Sequence, residues 1–77
     1  MGEPVEIAPG ITVARDTRFG KPVVKGTRVD VGTVLGSLAA GDSVEDVMDA
    51  YGLSREGVLA ALSYAHEIVS SEIVRAQ

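Results

Sequence analysis

A chain of 77 residues makes one domain, and at this size it buries only about 60% of its unfolded surface, so association with a second chain is expected to support it. With no cysteine and one histidine it builds neither a disulfide framework nor an ordinary zinc site, and it carries no long apolar run or signal-like leader; a soluble cytoplasmic protein, with no cofactor and no membrane partner, is expected. The net charge of −4 hides an asymmetry: residues 15–28 hold Arg15, Arg18, Lys21, Lys25 and Arg28 against Asp16 alone, whereas residues 29–77 set eight acids against Arg55 and Arg75. An anionic partner at the basic end answers that pattern, as does pairing of the two ends within a dimer.

Residues 1–10, with Pro4, Pro9, Gly10 and two glutamates, read as an extended lead-in. Ile11-Thr12-Val13-Ala14 is a short β-prone run, and Asp16-Thr17-Arg18-Phe19-Gly20 supplies turn residues. Gly20 and Gly26 permit positive φ, Pro22 fixes its own, and Val23-Val24 between them suits a short strand. A β-arm over 11–29 follows.

From Asp30 the period changes. Val31, Val34, Leu35 and Leu38 recur at helical spacing, Asp30 is placed to cap the start, and Gly41 to end the run. Gly32 and Gly36 inside this helix predict close approach of another backbone. Ser43 and Asp46 form a capping-box pair ahead of Val44, Val47, Met48 and Tyr51, with Gly52 as terminator. Ser54 caps the third helix, and Leu53 with Val58 makes the hydrophobic staple that fixes the chain's entry. Val58, Leu62, Ala65, Val69, Ile73 and Ala76 continue one apolar stripe over 54–76, a span of roughly 33 Å. The end of so long a helix is expected to project beyond the core, which makes Ile68, Val69, Ile73 and Val74 candidates for a dimer or heteromeric contact. The fold class is therefore mainly α with a short β-arm: one domain over 11–77, the arm at 11–29 and three helices over 30–77, with a helix-turn-helix at 43–66.

The run from Gly20 to Ala65, GKPVVKGTRVDVGTVLGSLAAGDSVEDVMDAYGLSREGVLAALSYA, resembles a small bacterial and archaeal family known as domain of unknown function 433. The resemblance rests on Gly20-Lys21-Pro22, on Gly26-Thr27-Arg28 with Val29 and Val31 after it, and on the Gly41-Asp42-Ser43 stop and cap ahead of the acidic helix. It implies a β-arm followed by a helix-turn-helix of the winged-helix or homeodomain-like kind. It also implies an antitoxin-like role, as partner of a PIN-like ribonuclease toxin.

In a DNA-binding helix-turn-helix the start of the second helix faces base edges, here Ser54 and Arg55, and Lys21, Lys25 and Arg28 of the arm would contact phosphate beside it. Glu45, Asp46 and Asp49 oppose a duplex. In the antitoxin reading, Lys25, Arg28 and Arg75 serve as cations for the clustered carboxylates of a metal-dependent ribonuclease. Catalysis is not expected: Gly26 is followed by Thr27-Arg28 rather than the lysine of a phosphate loop, and His66, expected to be a partly buried structural residue, has no orienting third group. The expected function is an antitoxin-like homodimer that neutralises a PIN-like ribonuclease and binds its own operator DNA. A stand-alone helix-turn-helix regulator and a protein-only adaptor stand as the alternatives.

Overall fold

The computed structural model describes residues 3–71. In chain order it contains strands β1 (Val5–Ala8), β2 (Ile11–Val13) and β3 (Val23–Val24), then helices α1 (Val31–Ala39), α2 (Val44–Tyr51) and α3 (Arg55–Ser71). The strands form an antiparallel sheet in the order β1-β2-β3. Residues 5–8, read from the sequence as part of an extended lead-in, belong to the sheet, with Val5 opposite Val13 and Ala8 opposite Ile11. The pairing is a hairpin closed by the Pro9-Gly10 turn, a local signal that residues 1–10 do carry.

The three helices follow from local chemistry. Asp30 caps α1, its Oδ1 accepting the Thr33 amide at 2.7 Å. Ser43 and Asp46 form the expected reciprocal capping box at the start of α2, and Gly52, at φ 67°, ends it. Ser54 Oγ then accepts the Gly57 amide at 3.0 Å and opens α3 after a turn of three residues.

These elements close over one core of Ile11, Val24, Val31, Val34, Val47, Leu53, Val58 and Ala61. Leu53 and Val58 lie in it together, as a staple requires. On α3 the buried residues are Val58 and Ala61, with Tyr64 and Ala65 half-buried. The core face is therefore rotated from the stripe drawn through Leu62 and Val69, and both of those side chains are exposed. His66, expected to be partly buried, is exposed as well, with Nε2 3.3 Å from Ser70 Oγ.

Close backbone approach occurs elsewhere than the α1 glycines predicted. A Cβ on Gly36 would meet open space, and one on Gly32 would touch only the Asp30 carboxylate of its own cap. The arm instead presses on α3: a Cβ on Gly10 would lie 2.8 Å from that of Ala60, and one on Gly57 would lie 3.0 Å from Val24 Cγ1. Gly10 also has φ 78°, so the Pro9-Gly10 turn and its seat on the helix both require glycine. That seat holds the arm against the first half of α3, leaving the arm's far end and the second half of the helix exposed.

Candidate interaction surfaces

The basic segment divides into cations engaged within the molecule and cations that are not. Lys25 Nζ lies 3.0 Å from Glu6 Oε1, tying the β3 end of the arm to β1. The Gly10 amide, foremost, and then Lys25 hold the Glu6 carboxyl below the usual carboxylate range. Arg18 reaches Asp30 Oδ2 with Nη2 at 3.2 Å and Nε at 3.4 Å. Asp30 is only 7% exposed, and the Thr33 amide, foremost, with Arg18 adding less, holds its carboxyl below the ordinary value. Among the described residues, Arg15, Lys21 and Arg28 make no ion pair.

The Arg18–Asp30 contact braces an unusual turn. Arg18 and Phe19 both have left-handed backbone, at φ 51° and 59°, and Gly20 follows at φ 81°. Thr17 O accepts the Gly20 amide at 3.0 Å, and Arg18 O accepts that of Lys21 at 3.1 Å. Each left-handed residue other than glycine costs roughly 1–2 kcal/mol, so the conformation needs such bracing. Its result is that Phe19, the chain's sole phenylalanine, is 97% exposed. Around it Arg15, Asp16, Arg18 and Arg28 line an open depression of about 300 Å³. Sequence reasoning counted these arginines in the charge balance and read Phe19 as part of a turn. The available signal was a lone Phe inside a strongly charged segment.

A second surface lies along the other half of α3. Ile7, Ala8 and Pro9 on one side and Ser63, Tyr64, Glu67, Ile68 and Ser71 on the other border a groove of about 500 Å³. Ile68 is 43% and Ile7 of β1 45% exposed across it. β1 is also an edge of the sheet, so among the described residues one side of its backbone has no strand partner. Ile68 thus borders this groove, whereas Val69 is exposed on the opposite face of α3 with Leu62 and His66, and Ile73, Val74 and Arg75 lie outside the described residues.

The helix-turn-helix places Ser54 and Arg55 at the start of α3, but the Ser54 hydroxyl is engaged by the cap and the Arg55 guanidinium is paired with Glu45 of α2. Lys25 and Thr27 of the arm border a shallow groove with Ser54, Glu56 and Gly57, so the arm stands beside the N-terminus of α3. Arg28 points instead to the depression around Phe19.

Residues 11–65 match the family described as "Protein of unknown function (DUF433)". The chain belongs to this family. The match spans β2 through the core-forming part of α3 and so takes in both the braced turn and the helix-turn-helix. Among solved structures the chain is similar to Rv2018 from Mycobacterium tuberculosis, with 35% identity over 68% of this chain and a TM-score of 0.62. That similarity takes up 24% of the Rv2018 chain. No curated protein sequence matches. No helix among the described residues is long and apolar enough to cross a membrane.

Proposed function

We propose that this family member is the antitoxin-like half of a toxin–antitoxin pair, which holds a PIN-like ribonuclease in an inactive complex through the surface between β1 and the second half of α3. The observation that carries this reading is the groove bordered by Ile7 and Ile68, both of them exposed large apolar residues. A chain this small gains stability by covering such apolar area, and contiguous apolar surface of this kind is characteristic of protein interfaces. The free edge of β1 adds backbone donors and acceptors for strand addition by the partner. The class of partner is the one the family resemblance implies. Operator binding has less support, since Arg55, the residue placed to read bases, is neutralised by Glu45.

The test is co-expression with the product of the adjacent reading frame, followed by light scattering and an RNA-cleavage assay. A complex of defined mass, in which the partner's cleavage of RNA is suppressed, is the expected result. Ile7→Asp and Ile68→Asp should release the partner and restore cleavage while leaving the circular dichroism of this chain unchanged. A chain that elutes free of the neighbour's product, or a complex that both substitutions leave intact, would overturn the reading.

A further inference from the structure

The braced turn at the far end of the arm calls for a ligand of a different kind. Arg15 and Arg28 flank an almost wholly exposed Phe19, and neither is engaged by an acid among the described residues. Every other side chain lining the depression is charged. A protein interface centres on an apolar patch with its charges at the rim, and Phe19 has no such neighbours to extend it. A partner that suits this site presents a flat π face to the ring and anionic groups on either side. An unstacked nucleobase with its adjoining phosphates has that form: bases stack on exposed aromatic rings, and guanidinium groups pair with phosphate through two parallel hydrogen bonds.

We propose that Phe19, Arg15 and Arg28 form a binding site for single-stranded nucleic acid, with one base stacked on Phe19 and its phosphates on the two arginines. Arg18 is the positioning residue, because its contact with Asp30 braces the left-handed turn that directs the ring outward. A duplex does not fit, since its bases are already covered on both faces and Glu45, Asp46 and Asp49 repel a long polyanion. A strand of a few nucleotides meets only the basic end. Asp16, the acid in the lining, works against an anion, so its removal has a predictable sign.

The full chain is titrated into fluorescein-labelled octamers of uridine and of thymidine, and binding is followed by anisotropy at several salt concentrations. Retention of either strand is expected, with Kd rising about 5- to 150-fold in Phe19→Ala and staying close to that of the parent in Phe19→Trp. Asp16→Asn should tighten binding. Arg15→Ala and Arg28→Ala should each reduce the slope of log K against log salt by about 0.7. Phe19 is solvent-exposed, so its variants are expected to fold, and an unchanged dichroism spectrum verifies this. Failure to bind both octamers, binding that Phe19→Ala leaves unaltered, or equal retention of a blunt duplex would each overturn the site. The α3 groove takes no part in these measurements, so their failure leaves the ribonuclease partnership untouched.

Discussion

Asp30 joins the fold to the exposed turn, and replacing it by alanine separates the two contributions. The substitution removes the cap of α1, worth about 1 kcal/mol, and the contact with Arg18. That contact is worth about 0.5 kcal/mol, because the Arg18 side chain is 50% exposed and water screens the pair. The expected loss is therefore about 1.5 kcal/mol, or a fall in Tm of about 6–12 °C for a domain of this size, read by thermal melting at neutral pH. Asp30→Asn keeps a capping oxygen and should lose only the smaller part, as should Arg18→Ala. The pH dependence has a definite sign. The folded carboxyl titrates below its unfolded value of 3.8, so its contribution is complete above that value and is lost as pH falls through the folded pKa. The gap between parent and Asp30→Ala should thus be constant from neutrality down to about pH 5 and narrow in more acid solution, towards the part that a neutral capping oxygen retains. A gap that does not narrow in acid, or an Arg18→Ala variant as unstable as Asp30→Ala, would refute this division of roles.

Five further substitutions probe the two surfaces and the core beneath them. Phe19→Gly removes a ring that buries almost nothing and places glycine at φ 59°, so stability should rise by about 1 kcal/mol, detected as a higher urea midpoint, while retention of a single strand is lost. Gly10→Ala should cost about 2–3 kcal/mol, against about 1 kcal/mol for Gly26→Ala. Both have φ near 80°, but only at Gly10 does the new methyl meet the Ala60 Cβ, so equal losses would refute the close seat of the arm on α3. Val34→Ala opens a cavity in the core and should cost about 2–3 kcal/mol by chemical denaturation, whereas the exposed Leu62→Ala should stay within about 0.5 kcal/mol.

What was legible in the sequence was local. The Ser43–Asp46 capping box, the Gly52 terminator, the Asp30 cap and the Leu53–Val58 staple each involve residues within five positions of one another, and the folded chain contains all of them. The family was legible for the same reason, since its most specific signals are turns and caps. Contacts set by tertiary packing were not. The glycines that matter, Gly10 and Gly57, are the ones the arm happens to press against, whereas the β1–β2 hairpin does carry a local signal, its Pro9-Gly10 turn, which the reading as a lead-in passed over. The α3 stripe was displaced because helical spacing gives a period but not which of two neighbouring apolar rows meets the core: Val58 and Ala61 turn inward, and Leu62, His66 and Val69 outward.

The charge asymmetry shows how the two levels combine. Counted along the sequence, residues 15–28 carry five cations against one acid, which invites a reading in which the whole arm is a basic surface. Folding commits Lys25 to Glu6 and Arg18 to Asp30, leaving Arg15, Lys21 and Arg28 uncompensated by ion pairs among the described residues. Two of these three border the exposed ring. The positive field is thus smaller than the composition indicates, and it lies at the braced turn rather than beside the helix-turn-helix. A ligand held by so few cations has a shallow salt dependence, and its selectivity must come from what stacks on Phe19. The same arithmetic weakens the case for duplex DNA. Of the arm cations that would offset the acids of α2 there, Lys25 is already met by Glu6 and Arg28 borders the Phe19 depression, which leaves Lys21, while Arg55 at the head of α3 is held by Glu45.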